Sequence, residues 1–334
     1  MRIAIISPSF AAPGAFTELH EQALRRMRGL GWEPVEYPTT REVGASPADR
    51  ARDVTAALSD PSIDAVLASI GGTDQILVIT QMTASQWEQI ADRRPLFFGY
   101  SDNTHLHNEL FRRGIPSVYG GSTQVHLAPG SGIDPLHLAS LQAALAGSDY
   151  QMQRPGWYAD FGVNWETPEA LTQDPAHLLA PDWQFRGGQD AVTAATWGGC
   201  LEVIADIAVA GRLPAHIDGH ILLLEASEEC TEPWRHRRLL RALGERGYLS
   251  HVAGVVVALP PGANLEGKTV DVEEFNEAVE SALHAACPEV PRVYGVPFGH
   301  TLPQQVVPYG GAMSIDPRAG SITCHFGTVH TRAR

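Results

Sequence analysis

The segment Leu96-Phe-Phe-Gly-Tyr-Ser101-Asp-Asn carries a β-rich run that breaks at Gly99, a serine at the break, and helix-forming residues directly after it. A serine at a sharp strand-to-helix turn stands clear of the sheet. The backbone N–H groups that follow, with the positive end of the helix dipole behind them, point at the same spot. That arrangement suits a nucleophile with half of an oxyanion hole. The G-x-S-x-G pattern is half met, because position 103 is asparagine, and the same residues also suit a plain helix cap by Ser101 or Asp102.

A nucleophilic serine needs a base, and the base needs an acid to orient it. Ile221-Leu-Leu-Leu-Glu225 sets a carboxylate at the end of a buried apolar run, a costly position for a charge without a partner. Tyr294-Gly-Val-Pro-Phe-Gly-His300 sets a histidine in a loop bracketed by Gly295, Pro297 and Gly299. Taken singly, Glu225 also reads as a turn cap and His300 as one of 14 histidines. Together with Ser101 they give the chain order serine, acid, histidine, as in the α/β-hydrolases. Such chemistry requires neither a metal nor an organic cofactor.

Two other signals compete with this reading. Gly262-Ala-Asn-Leu-Glu-Gly-Lys268-Thr269 matches the phosphate-loop pattern letter by letter and follows a strand. However, Thr269-Val-Asp-Val is β-branched, and Asp271 with Glu274 places the helix start after the lysine rather than on it, where the phosphates would need it. His105 and His107 point to different faces of a helix, and His216 and His220 are interrupted by Asp218-Gly219, so no metal site is expected. A non-catalytic binder of amino acids or nucleotides stays open as a rival.

The elements that must position these residues follow from periodicity. Over the first 150 residues short β-rich runs (Arg2 to Ser7, Glu33 to Tyr37, Ala65 to Ile70, Pro95 to Tyr100, Ser117 to Tyr119) alternate with amphipathic stretches. The helices are predicted from Thr17, as cap, to about Gly31, from Ser46-Pro47 to about Leu58, and from Asp102 to Gly114. This predicts a parallel sheet with crossover helices and ligand sites at the strands' carboxyl ends, where Gly71-Gly72 and Ser101 fall. From Gly147 to Gly188 the period is lost in a Pro-, Asp- and Trp-rich segment (Trp157, Trp165, Trp183), long enough to suggest a functional connector. Beyond it Val192 to Thr196, His220 to Leu224, Val252 to Leu259 and Met313 to Phe326 read as strands, with helices at 201–210, 233–247 and 272–286. The expected division is therefore an α/β nucleophile domain over 1–147, an aromatic insert over 148–188, and a smaller, strand-rich α+β domain over 189–334 that carries the acid and the histidine.

Composition narrows the partners. The 334 residues are 44% hydrophobic and 19% charged, as in globular chains, and no apolar run approaches a bilayer's width. Acidic residues outnumber basic ones by 38 to 24, and a net charge of -14 repels phosphate backbones and anionic membranes. Neither nucleic acid nor membrane is expected as a partner. The apolar stretch before Ser7-Pro8 is too short for a signal-peptide core, and the four cysteines form no C-x-x-C pair, so a cytoplasmic protein with reduced, buried thiols is expected.

Several segments resemble the LD-carboxypeptidase family of serine peptidases, which includes the microcin C self-immunity proteins. They are Ile5-Ile-Ser-Pro-Ser, Ile70-Gly-Gly, Gly99-Tyr-Ser-Asp, Trp197-Gly-Gly, Leu223-Leu-Glu225 followed by Ser227-Glu-Glu, and Val296-Pro-Phe-Gly-His300, spread over most of the chain. The resemblance implies Ser101 as nucleophile, His300 as general base, Glu225 as orienting acid, and the backbone N–H groups of Gly72 and Asp102 as oxyanion hole. It also implies a flavodoxin-like, glutamine-amidotransferase-like N-terminal domain, a triad assembled across the domain junction, and a homodimer. An arginine usual in LD-carboxypeptidases is replaced by Ile70, and Gly71-Gly72-Thr73-Asp74 looks like the immunity branch. That branch implies a peptidyl or aminoacyl nucleotide substrate, with Gly71, Thr73 and the tryptophans Trp157, Trp165 and Trp183 at its binding site. A muropeptide tetrapeptide is the substrate of the alternative branch. Pro260-Pro261-Gly262 departs from the family, where a polar turn is usual.

Overall fold

Apolar runs of four or five residues become the central strands because both their faces are covered. The computed structural model describes residues 1–93 and 96–330; the expected strand start at Pro95 and the last four residues lie outside the described residues. The N-terminal part supplies β1 (Arg2–Ile6), β2 (Glu33–Glu36), β3 (Ala65–Ala68), β4 (Leu96–Gly99) and β5 (Ser117–Tyr119). These pair in parallel in the order β5-β4-β3-β1-β2.

Period-two alternation divides this sheet's side chains between two cores. Ile3, Ile5, Leu67, Phe98 and Val118 join a cluster that runs on into the C-terminal part. Ala4, Ile6, Val66, Ala68 and Phe97 face a separate cluster built with the helices 47–59, 84–93 and 104–111. The helix at 47–59 starts as its sequence predicts, Ser46 Oγ accepting the Asp49 N–H at 3.1 Å with Pro47 at the first position. Thr17 behaves differently from expectation. A short helix Ala12–Ala15 precedes it, and its Oγ1 donates back to the Pro13 carbonyl at 3.4 Å instead of capping.

The second sheet has eight strands. After β6 (Asp149–Gln151), a small hairpin-like pair β7 (Trp157–Tyr158) and β8 (Leu178–Leu179), and β9 (Gln184–Gly187), the chain enters β10 (Val192–Cys200), β11 (Ile221–Glu225), β12 (Gly254–Ala258) and β13 (Pro291–Val296). β10 to β13 are parallel neighbours. The stretch 313–326, expected as one strand, is a hairpin of β15 (Ala312–Asp316) and β16 (Ser321–His325), because Pro317 to Gly320 turns the chain. The sheet order is β6-β16-β15-β10-β11-β12-β13-β9, so the two ends of the insert form its two edges.

Between β13 and β15 the chain returns to the first sheet as β14 (Val307–Tyr309), antiparallel to β5 with Val307 opposite Tyr119. This strand ties the C-terminal part to the edge of the N-terminal sheet. It also carries the loop that contains His300 back toward the carboxyl end of β4.

Gly198 shows how closely these strands meet. A Cβ on it would stand 1.8 Å from the Leu223 carbonyl oxygen, whereas Gly211, also at positive φ (68°), has nothing within 4 Å. Gly198→Ala is expected to cost more than about 3 kcal/mol, against about 1 kcal/mol for Gly211→Ala from the left-handed backbone alone. Urea unfolding of the two variants gives the comparison, and equal losses would contradict it.

Candidate active site

Ser101 follows β4 directly and has φ 62°, a left-handed conformation that costs a non-glycine residue about 1 to 2 kcal/mol unless its surroundings hold it. They do. Its N–H donates to the Tyr119 hydroxyl at 3.1 Å, and its carbonyl accepts from Thr104 Oγ1 at 2.7 Å. Asn103, the residue that breaks the glycine pattern, donates from Nδ2 to the Tyr100 carbonyl at 2.9 Å and the Ile70 carbonyl at 3.2 Å. Its Oδ1 accepts from Gln75 Nε2 at 2.8 Å. The asparagine thus ties the elbow to the loop after β3, which no glycine side chain could do. Gly99 is required beneath it, since a Cβ there would lie 2.9 Å from Asn103 Cβ.

The loop after β3 closes over the serine from the other side. A Cβ on Gly71 would meet Ser101 Cβ at 2.8 Å, and one on Gly72 would meet Ser9 Oγ at 2.2 Å. Arg50 clamps this loop by donating from Nη1 and Nη2 to the two oxygens of Asp74 (2.9 and 2.7 Å) and from Nη1 to the Ser9 carbonyl at 2.7 Å. That guanidinium holds the Asp74 carboxyl below the usual range despite partial burial. Asp102 is buried, its carboxylate accepting from Ser9 Oγ and from the Gln75 N–H. Burial pushes its carboxyl up. Among the described residues no acceptor is taken by the N–H of Gly72 or of Asp102.

The second sheet supplies the acid and the imidazole. Glu225, the last residue of β11, is fully buried. His300 Nδ1 donates to its Oε2 at 2.5 Å, and the Tyr119 hydroxyl donates to its Oε1 at 2.6 Å. The His300 loop approaches this closely only because residue 299 is glycine: a Cβ there would stand 2.9 Å from Glu225 Cβ and 3.0 Å from Ala258 Cβ. Gln304 fixes the loop's far end, donating to the Gly299 carbonyl at 2.8 Å and accepting the Gly121 N–H at 2.7 Å. Burial alone would lower the pKa of His300, but the charges of Glu225 and Glu228 and the bond to Glu225 outweigh it and raise it to about 9. The other ring nitrogen, Nε2, lies 3.1 Å from Glu228 Oε2, without the alignment of a hydrogen bond.

Ser101 and His300 line one cavity of about 920 Å³, with Gly71, Gly72, Thr73, Phe161, Trp165, Glu228 and Glu229 also on its walls. Among the described residues no hydrogen bond joins the Ser101 hydroxyl to His300. Of the three tryptophans expected near substrate, Trp165 faces this cavity and packs edge-on against Phe16, ring centroids 5.4 Å apart. Trp157 stacks on His177 at 3.7 Å and lines a neighbouring cavity of about 200 Å³. Trp183 precedes β9 and packs into the core, lining neither.

Tyr119, Glu228 and Arg50 carry little sign of a role in the sequence. The Ser227-Glu-Glu segment and the strand-end position of Tyr119 before Gly120-Gly121 were their only signals. The phosphate-loop match forms no phosphate cradle: Ala263 and Thr269 bridge across it, Lys268 Nζ donates to the Glu229 carbonyl at 2.8 Å, and the helix starts at Val272 with Asp271 as cap. Among the described residues no group of three or more His, Cys, Asp or Glu is placed to hold a metal ion, and all four cysteines are unpaired and buried.

Comparison with known proteins agrees with this architecture. Residues 3–120 match the LD-carboxypeptidase N-terminal domain and residues 193–315 its C-terminal domain. A protein of Streptomyces coelicolor named as a carboxypeptidase, SCO6489, is 28% identical over 332 residues, covering 96% of this chain and 92% of its own. In fold the chain resembles an MccF-like protein from Streptococcus pneumoniae in complex with AMP (TM-score 0.84, 24% identity, 96% and 97% of the two chains covered). It also resembles the microcin C7 self-immunity protein MccF in complex with aspartyl sulfamoyl adenosine (TM-score 0.81, 20% identity, 97% and 95% covered). With both domain models matched in order and together spanning most of its length, the chain belongs to the LD-carboxypeptidase family of serine carboxypeptidases.

Proposed function

We propose that the protein cleaves the amide-type bond between an aminoacyl or peptidyl group and a nucleotide, through an acyl-enzyme on Ser101. The observation that carries this reading is the buried His300–Glu225 pair on the wall of the cavity that also holds Ser101 at positive φ. Ser101 Oγ attacks the acyl carbon as His300 Nε2 takes its proton, and Glu225 holds the ring through Nδ1. The N–H groups of Gly72 and Asp102 receive the oxyanion. The tetrahedral intermediate expels the nucleotide amine, which takes the proton from His300. Water, activated by the same nitrogen, then attacks the ester and frees Ser101.

The nucleotide half of the reading is supported by the AMP and aspartyl sulfamoyl adenosine bound to the two fold relatives and by Phe161 and Trp165 in the cavity, flat rings on which a base stacks. It is also supported by what the cavity lacks. Among the described residues that line it the one arginine or lysine, Arg50, is committed to Asp74, so the free carboxylate of a muropeptide tetrapeptide finds no unpaired guanidinium or ammonium there. The family resemblance extends the proposal to a homodimer, in the cytoplasm that the unpaired cysteines and short first apolar stretch lead one to expect.

The discriminating assay offers an alanyl sulfamoyl adenosine and a tetrapeptide ending in D-alanine side by side. Cleavage of the first and not the second is expected, and the reverse would assign the muropeptide branch. Ser101→Ala is expected to lower kcat at least about 10³-fold with an unchanged unfolding curve, and a variant that retains wild-type turnover would end the acyl-enzyme reading.

The pH profile has a defined sign. His300 accepts a proton only when neutral, and Glu225 on β11, Glu228 on the following loop and Glu202 on the helix 201–209 all favour its charged form. His126, buried and held neutral well below the ordinary histidine range, adds no positive charge beside it. The kcat/KM of the free enzyme should therefore rise with pH to a midpoint near 9, not near 6.5. A profile already flat above pH 7 would show that His300 is not the base or is not held charged.

A further inference from the structure

We propose that Glu228 binds the α-ammonium group of the substrate, and that this group draws the Glu228 carboxylate away from His300 so that Nε2 becomes free to serve Ser101. The proposal rests on the acyl-transfer reading above and adds the class of acyl group it selects: an aminoacyl group with an unblocked amino terminus.

In the free protein Glu228 Oε2 lies 3.1 Å from His300 Nε2, the nitrogen that must receive the serine proton. The imidazole is 5% exposed, faces the cavity, and among the described residues has no hydrogen-bond partner at Nε2. The Glu228 side chain is 62% exposed, and among the described residues His300 is the only charged group it contacts, so it can swing without breaking another bond. An imidazolium paired on both nitrogens with carboxylates is a poor base. Something in the productive complex has to take the second carboxylate away.

The rest of the wall says what that something is. Ser227, Glu228 and Glu229 line the cavity together with Asp160. Glu229 has no side-chain hydrogen bond or ion pair among the described residues, and burial together with Glu202 and Glu228 raises its carboxyl. Among the described residues Asp160 accepts only the Gly262 N–H, at 2.8 Å. Arg50, the one guanidinium among the described lining residues, is already paired with Asp74. Besides the His300 imidazolium, itself paired with Glu225 and Glu228, no cation among the described lining residues balances Glu229 and Asp160, and an ammonium on the substrate would add one beside the reacting carbon. In an aminoacyl group the α-nitrogen lies about 2.5 Å from the carbonyl carbon, and that carbon sits about 3 to 3.5 Å from the attacking oxygen. An ammonium at this point comes within reach of a carboxylate that borders Nε2, and it forms a charge-assisted hydrogen bond there. An acylated amine carries no charge and leaves Glu228 on the histidine.

The experiment compares alanyl sulfamoyl adenosine with its N-acetyl analogue on wild-type protein, Glu228→Gln and Glu228→Asp. Wild type is expected to favour the free amine at least roughly tenfold in kcat/KM. Glu228→Gln should bring the ratio to within roughly threefold and lower the pH midpoint of the residual activity, because one of the charges that raises His300 is gone. Glu228→Asp should keep the preference. Equal cleavage of both compounds by wild type, or a preference that Glu228→Gln leaves intact, overturns the role of Glu228 while the acyl-transfer reading stands. Cleavage of neither compound by wild type removes the aminoacyl-nucleotide reading, and this inference with it.

Discussion

A carboxylate with no solvent exposure at the end of an apolar strand governs the design of this molecule. Left alone, Glu225 would be too costly to bury; with both oxygens engaged, by His300 Nδ1 at 2.5 Å and by the Tyr119 hydroxyl at 2.6 Å, it becomes a fixed point. Removing one partner from such a buried pair typically costs about 3 to 5 kcal/mol. The partners come from different places: β11 brings the acid, the loop after β13 brings the imidazole, and β5 of the other sheet brings the phenol. The packing of the two sheets is therefore part of the site, and β14, which leaves the His300 loop to pair with β5, is the covalent expression of that dependence.

Glycine makes the convergence possible at two points of close approach. Gly299 lets the histidine loop lie against Glu225, and Gly71 lets the loop after β3 lie against Ser101. In each case the nearest atoms to a Cβ belong to a residue of the site itself. These positions are constrained by the geometry of the site rather than by the turn they occupy, so space is scarce where the chemistry is expected and freer at surface glycines such as Gly211.

The residues legible in the sequence were those whose local context is unusual for their type. Ser101 stood after a buried run and before a helix, Glu225 was a charge at the end of four aliphatic residues, and His300 lay between glycines and a proline. The parallel strands β1, β3, β4, β11 and β12 were legible because burial on both faces makes them continuous apolar runs. Edge strands carry no such mark. β6 reads Asp-Tyr-Gln and β9 reads Gln-Phe-Arg-Gly, half-exposed and polar, and their pairing is decided by strands more than a hundred residues away. The same limit applies to Trp183 against Trp165: an indole in an aperiodic segment gives no sign of whether it will fill a core or face a cavity.

Tyr119 was invisible for another reason, and it links the two halves of the site. A tyrosine ending a three-residue strand looks like any core aromatic, and its ring is indeed fully buried, stacked on Tyr309 and tilted against His107. Its hydroxyl, however, accepts the Ser101 N–H at 3.1 Å while donating to Glu225 at 2.6 Å. A single oxygen therefore holds the strained backbone of the elbow and fills the second oxygen of the acid. Burial and the neighbouring Glu225 raise its pKa well above the ordinary tyrosine value, so it stays a donor toward the carboxylate across the working pH range. Any shift of β11 against β5 would have to break that bond and release the Ser101 turn with it. The relation between the serine on one sheet and the acid on the other is thus fixed by a hydrogen-bonded chain through the core.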